Sequence, residues 1–411
     1  MSEPLTAPTQ PAAQVGSPSP PVRRLMSLDA LRGFDMFWIV GGEEIVHALY
    51  KAFPFAPFKV LHTQMDHVPW QGVHFYDLIF PLFVFMVGIS IVFSLSKTIE
   101  REGGGAALKR IFVRSLILYV CGLLVYEGLS KGIDHIRWMG VLQRIALAYF
   151  FTGLIFAFFR LRGMIVICAA LLLGYWALTT FVPIRDFNLE TGHLKALDLR
   201  PNDTETADRF HATTQRVSGR FDDGLNLTQH IDYQYLPGRK WDGAYDPEGI
   251  LSTLPAIATC LLGVFVGFLL KNQTIPDQKK VNYLLIAGVA GLVVGFLWGL
   301  QFPVIKKIWT SSYVLVAGGF SCPLVAAFYQ MIEIWQWRKW CIPFIWIGTN
   351  AITIYLAFHL IEFQKYADLT VGGPVHQALG NWGDLLRSLV VVGMSLAIVR
   401  FLYNRKIFLR F

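Results

Sequence analysis

Charge is scarce in this sequence. Asp, Glu, Lys and Arg make up 16% of its 411 residues, against about 25% in soluble domains. The deficit excludes an ordinary soluble composition, because 54% of the chain is hydrophobic and its mean hydropathy is +0.47. Cysteine is also sparse. Cys121, Cys168, Cys260, Cys322 and Cys341 fall in or beside apolar segments, and none has a partner at metal or redox spacing. They read as small packing residues, and no metal is expected. There is no fixed-period repeat, which removes solenoid architectures. Residues 1–22 are rich in Pro, Ala, Ser and Thr and have no apolar core, so they read as a disordered tail and not as a signal peptide.

What is abundant is long apolar runs and aromatics, with 32 Phe and 12 Trp. A bilayer core of roughly 30 Å takes a helix of about 20 apolar residues. Ten such runs are expected as spans, at about 28–50, 77–97, 108–127, 140–160, 163–183, 250–270, 281–301, 311–332, 342–362 and 383–403. Barrel strands would be shorter and would alternate. The expected fold is therefore an all-α polytopic transmembrane helix bundle, with an eleventh span or one re-entrant segment as the alternative count. The net charge of +8 then reports topology and calls for no nucleic acid. With the N-terminus cytoplasmic, cytoplasmic ends and loops carry 18 Lys and Arg and short outer loops carry 8, which favours both termini inside. Residues 1–24 would be a cytoplasmic tail and 25–411 one membrane domain. The stretch 184–249, polar and too long for a bare connection, would be a cap on the outer face.

Several runs carry side chains that lipid rejects, each costing about 2.5–3.5 kcal/mol at the bilayer centre on insertion scales. The first, "LDALRGFDMFWIVGGEEIVHALY", holds Asp29, Arg32, Asp35, Glu43, Glu44 and His47. Asp29 and Arg32, at i and i+3, either clamp each other or leave Arg32 lining an anion cavity. Before the second run, "MDHVPWQGVHFYD" brings Asp66, His67, Trp70, His74 and Asp77 together. Asp77 suits a helix N-terminus, and an imidazole such as His67 can accept a proton near neutral pH. On the cytoplasmic side, "REGGGAALKRIFVRS" sets Arg110 and Arg114 four residues apart, as membrane anchors or as a basic face for phosphates. Gln143 and Arg144 open the fourth span, and Asn350 and His359 lie in the ninth, where Asn350 either bridges helices or lines a cavity and His359 is either an interfacial residue near the outer end or lines it too. Intramembrane charge of this kind also suits a secondary transporter of a small polar or anionic solute.

Five blocks in order, "LDALRGFDMFW", "HVPWQGVHFYDLIFPLFVFMVGISI", "GVLQRIALAYF", "AYDPEGILSTLPAI" and "GTNAITIYLAFH", resemble the heparan-α-glucosaminide N-acetyltransferase family and its bacterial relatives. The resemblance implies a multi-span enzyme, in a bacterial inner membrane, that takes acetyl-CoA from the cytosol and acetylates the amine of an amino sugar or glycan on the far side. The family's catalytic His stands in a His-X-X-Trp-X-Gly block, which His67 matches. Lysosomal members also use an Asn near the outer end of the first span. Here that region reads "GGEEIVH", and Glu43 or Glu44 is expected to take its place. On this reading Asp66 or a first-span carboxylate orients His67. The acceptor side comprises Trp70, Asp77, Asp246, Glu248, Asn350 and His359. Arg32, Arg110, Arg114, Gln143 and Arg144 serve CoA. The expected partners are acetyl-CoA, the sugar acceptor and the bilayer, with a homodimer left open. Direct transfer with His67 as general base, an acetyl-His intermediate, and O-acetylation of a surface glycan remain alternatives.

Overall fold

The computed structural model describes residues 25–126, 130, 132–189 and 204–408. The tail expected at 1–24 lies outside the described residues. Helices cover every apolar run, as they must where no water is available to satisfy the backbone. The first run is broken: α1 (Met26–Phe37) passes through a π-turn at Trp38–Gly42 into α2 (Glu43–Ala52), with Gly41 at φ 128°. A short helix α3 (Ala56–Met65) and one 3-10 turn (Phe75–Leu78) lead into α4 (Ile79–Glu102). Then come α5 (Gly104–Val125), α6 (Val141–Phe158) and α7 (Leu161–Phe181). The polar region holds α8 (Thr204–Ala212) and α9 (Leu227–Tyr235). The chain returns through α10 (Thr253–Lys271), α11 (Asp277–Gly299) and α12 (Ser311–Tyr329). It ends with α13 (Ile342–Thr349), α14 (Ala351–Leu360), two short helices and α17 (Asn381–Asn404).

Among the described residues, seven helices are long and apolar enough to cross a membrane, and α13 with α14 makes an eighth as a pair bent by 76°. The other two expected spans are helical but depart from an uninterrupted apolar rod. One is the broken α1–α2, and the other is α5, which carries Lys109, Arg110 and Arg114. The chain is an all-α polytopic integral membrane protein.

In lipid, tails are as apolar as side chains, so helices associate by close packing. Two glycines set the central contact. A Cβ on Gly88 of α4 would stand 1.9 Å from the Cys260 carbonyl oxygen of α10, and one on Gly263 of α10 would stand 1.9 Å from the Phe85 oxygen. A second crossing joins α1 to α13, where a Cβ on Gly33 would reach 1.7 Å from the Phe344 oxygen. These contacts place α1, α4, α10 and α13 around the middle of the bundle.

The polar region forms a cap with its own core of Leu189, Phe210, Ala244 and Tyr245. Two short antiparallel ladders frame it, Ile184↔Val217 and Phe221↔Asn226. Arg137, between α5 and α6, fastens the cap to the bundle. Its guanidinium donates to both oxygens of Asp246 at 2.8 and 2.7 Å and to Glu248 at 2.6 Å. It also stacks over Tyr126 and Trp241. Inside the cap, Asp232 accepts a bond from the Ile250 amide at 2.8 Å. Burial pushes its carboxyl from the ordinary 3.8 up to about 7.

Two predictions follow from this packing. Gly88→Ala should cost about 1–3 kcal/mol of stability and lower the thermal midpoint in detergent. Gly104→Ala, which faces open space, should not. If both variants melt with the wild type, the α4–α10 contact does not carry the bundle. The second concerns Asp232. Its folded pKa lies above its unfolded one, so the folded cap retains a proton the unfolded chain has released. That contribution is complete below about 3.9 and is lost as pH rises through about 7. His230, which burial pushes down to about 4, acts in the opposite sense as pH falls below its ordinary 6.5. Asp232→Asn keeps the acceptor and removes the charge. Proteolytic nicking of the cap should therefore be slower in the variant than in wild type at pH 8, with the difference shrinking towards pH 5. An equal difference at both values would contradict the assignment.

Candidate active site

The turn between α3 and α4 is built around one buried carboxylate. Asp77 is 1% exposed, and its Oδ2 accepts the backbone amides of His74 at 3.0 Å and Val68 at 3.2 Å. Its Oδ1 lies 2.8 Å from Nδ1 of His67. An ionised carboxylate only accepts, so Nδ1 carries a proton, and in the neutral ring the lone pair is then on Nε2. The His67 side chain is 55% exposed and is flanked by the Tyr76 ring at 4.9 Å. The Tyr313 hydroxyl donates to the Asp77 carbonyl at 2.6 Å, which ties the turn to α12. Trp70 Nε1 donates to the Phe221 carbonyl at 2.8 Å, which ties it to the cap.

Lys306 completes this group. Its amine stands 3.2 Å from Asp77 Oδ1 and 3.0 and 3.3 Å from the two ring nitrogens of His67. Burial pushes the amine below its usual pKa, and Asp77 opposes the shift. Sequence reasoning missed this residue. The signal was there: Lys306-Lys307 is a basic pair in a short loop that the charge count assigns to the outer side, where positive charge is disfavoured. The pair divides, with Lys307 bonding Asp242 of the cap at 3.0 Å.

At the other end of the bundle lies a cavity of about 440 Å³. Arg32, Lys97, Arg110 and Arg114 line its mouth, and Asp29 is the acid among its lining residues. Arg32 donates to Asp29 at 3.3 Å and to Ser90 at 2.9 Å, Arg110 to Thr98 at 2.9 Å, and Arg114 stacks on Tyr149 at 5.2 Å. The clamp and the basic mouth expected for Arg32 therefore coexist. Along α4 the cavity runs from Lys97 to Phe83, about 21 Å at 1.5 Å per residue. Phe83 is then about 9 Å along the axis from Asp77.

The remaining sequence-selected residues divide by location. Asp66 does not meet the His67 ring, because Asp77 occupies Nδ1. Its carboxylate faces His47 and His62 instead, each at 3.8 Å, and its carbonyl accepts from His74 at 2.9 Å. Glu43 lies 3.5 Å from His47 and bonds the Tyr76 hydroxyl, next to His67. Glu44 is exposed on the face towards α17. Gln143 and Arg144 are not at the basic mouth. They open α6 at its cap end, where Gln143 donates to the Arg137 carbonyl at 3.1 Å. Arg144, 0% exposed, bonds the Gly249 carbonyl and the Ser252 hydroxyl and stacks on Trp309 at 4.9 Å. The reason is direction: α5 rises from the basic mouth, and α6 begins at the other end. Asp246 and Glu248 are likewise engaged by Arg137 and do not face an open acceptor surface. His359 is exposed near the end of α14, 6.2 Å from the Tyr126 ring. Asn350 is buried at the α13–α14 bend, beside the cavity-lining Thr349 and Ala351, and neither side-chain atom has a hydrogen-bond partner among the described residues.

Comparison with known proteins agrees with the ordered blocks. A family model described as heparan-alpha-glucosaminide N-acetyltransferase, catalytic, matches residues 24–211, the segment that holds Arg32, His67, Asp77, Arg110 and Arg114. The chain is 26% identical over 457 residues to the heparan-alpha-glucosaminide N-acetyltransferase of Mus musculus, covering 99% of this chain and 63% of the relative. It is 26% identical over 446 residues to that of Homo sapiens, covering 99% and 62%. The chain thus spans a little over three-fifths of the length of these curated relatives. Motif order, the family model and alignments across 99% of this chain converge on one likeness: the chain is similar to the heparan-α-glucosaminide N-acetyltransferases.

Proposed function

We propose that the protein is a membrane N-acetyltransferase that moves an acetyl group from cytosolic acetyl-CoA to the amine of an amino sugar or glycan on the opposite side, in a bacterial inner membrane with both termini cytoplasmic. The observation that carries this reading is the pairing of opposite ends: a basic-mouthed cavity at one and a His–Asp pair at the other. A coenzyme bearing several phosphates cannot cross lipid, and its acceptor lies beyond it. Arg110, Arg114, Arg32 and Lys97 suit the phosphates through charge-assisted hydrogen bonds. The cavity, apolar in its inner half, suits the uncharged arm that carries the thioester.

In the reaction, the Nε2 lone pair of His67 takes a proton from the acceptor amine while the nitrogen attacks the thioester carbon. The tetrahedral intermediate collapses, the C–S bond breaks, and CoA leaves as thiolate, protonated by the imidazolium. Asp77 fixes the tautomer and stabilises the charge that forms on the ring. Lys306 is close enough to oppose negative charge on the developing oxyanion. Direct transfer needs one meeting point, and His67 provides its base.

Liposomes with purified protein, acetyl-CoA on one side and glucosamine on the other, provide the test. N-acetylglucosamine should form across the membrane. His67→Ala and Asp77→Asn should each lower kcat by about 10²–10⁴-fold, the usual worth of a general base, with folding checked by size exclusion. Product at the wild-type rate from His67→Ala would end the base assignment. Solute crossing without acetyl-CoA would point to a transporter, and an ester product to O-acetylation. Arg110→Ala should act at the other end, weakening CoA binding by about 10–100-fold at 1.5–3 kcal/mol per charged hydrogen bond, with kcat little changed at saturation. A kcat effect without a binding effect would remove Arg110 from the mouth.

A further inference from the structure

The hairpin of α2 and α3 carries a cluster that the acyl-transfer reading does not use. Glu43 and His47 lie four residues apart on α2, and His62 and Asp66 lie four apart at the end of α3. Residues at i and i+4 share a helix face, the spacing by which two side chains of one helix chelate a metal. The hairpin brings the two faces together. One ligand atom each from His47, His62 and Asp66 lies within 4.8 Å of the others.

We propose that His47, His62 and Asp66 bind one divalent transition-metal ion of the Zn²⁺ class beside the catalytic turn, with Glu43 adjacent through His47. The spacing supports this. The Nε2 atoms of both rings stand 3.8 Å from Asp66 oxygens, and His47 Nε2 stands 3.5 Å from Glu43. Direct hydrogen bonds run to about 3.2 Å. Tetrahedral ligands at about 2.0–2.2 Å from Zn²⁺ stand roughly 3.3–3.6 Å from one another. The two Nδ1 atoms approach to 2.5 Å, so a small rotation of either ring moves it between ring–ring contact and metal geometry. Charge supports it as well. Two carboxylates face two imidazoles, and among the described residues the ion pairs of Glu43 and Asp66 are with these histidines alone, with no Lys or Arg. A 2+ ion balances that set, and imidazole with carboxylate suits Zn²⁺. The Tyr50 ring stacks on His62 at 4.8 Å and 24°, holding a ligand in place as outer partners of metal sites do.

The ion would join the two arms of the hairpin and anchor Asp66, whose next residue is His67. It is a positioning site. It touches neither the His67 ring nor Asp77, and its existence does not depend on the acetyl-transfer reading.

The full chain, purified in detergent with any tag removed, is stripped with chelator and titrated with Zn²⁺ by calorimetry and with Co²⁺ by visible absorption. One equivalent of Zn²⁺ should bind, and Co²⁺ should show the intense bands of tetrahedral coordination. His47→Ala and His62→Ala should each weaken Zn²⁺ binding by at least about 100-fold, since even outer-sphere partners are worth 10–100-fold. Asp66→Asn, a conservative change at an exposed position, reports the same loss if a histidine variant fails to fold. His376→Ala, which removes a ring paired with Asp384, should leave binding unchanged. So should His67→Ala, which separates this site from the proposed base. Zn²⁺ binding absent from the wild type, or equal in wild type and Asp66→Asn, overturns the proposal.

Discussion

One buried carboxylate organises the cap end of this protein. Asp77 takes two backbone amides of its own turn, an imidazole and a lysine amine. A buried charge is costly unless it is paired and its lone pairs are filled, and here the partners come from both sides of the membrane end. Val68, His74 and His67 belong to the segment before α4, and Lys306 comes from the loop between α11 and α12. The bonds that satisfy Asp77 are therefore also the bonds that shape the turn and set the tautomer of His67. The acidic residue at a helix start was legible as a helix N-terminus, and that reading holds, because its side chain caps the turn. The same side chain also directs a ring ten residues earlier.

The polar groups of the bundle follow the same economy at both ends. Arg137 and Arg144 are buried near the cap, and each is covered by carboxylates, carbonyls or an aromatic face. Arg32, Arg110 and Arg114 do the reverse at the far end. Arg32 bonds Asp29, the Gly348 carbonyl and Ser90, Arg110 bonds Thr98 and Arg114 stacks on Tyr149, yet all three still line open space. An arginine saturated by Asp246 and Glu248 holds a loop. An arginine that keeps donors directed into a cavity can receive an anion. Residue type alone does not separate the two, and for that reason Arg144 and Arg110 looked alike in the sequence.

The helical bundle was readable from hydropathy, because a span must be long, apolar and continuous in a medium that hydrogen-bonds nothing. His67 stood out from its motif. What stayed hidden depends on contacts between distant segments. Lys306 is 239 residues from His67, and nothing local marks it except a basic pair on the unexpected side. Asp66 neighbours His67 in sequence, yet the backbone turn sends its side chain towards α2. Glu43 and His47 read as lipid-rejected charges in a first span, whereas a kink at Gly41 carries them out of the rod and into a hairpin. Local pattern identifies which residues are out of place in lipid, and only the fold decides which neighbour each one meets.

One helix break lies beside the turn that holds Asp77, and the other lies beside the cavity. The π-turn at Trp38–Gly42 lies beside Phe75, through the Trp38 ring at 5.3 Å. The α13–α14 bend falls at Asn350, just past the cavity-lining Gly348 and Thr349. Asp35 and Asn350, one beside each break, are buried with no side-chain hydrogen bond among the described residues. Irregular backbone at membrane depth persists where protein or a polar cavity covers it. The lining of the cavity ends at Phe83, about 9 Å along α4 from Asp77, and on the proposed reading a thioester entering past Arg110 would cross that interval to reach His67.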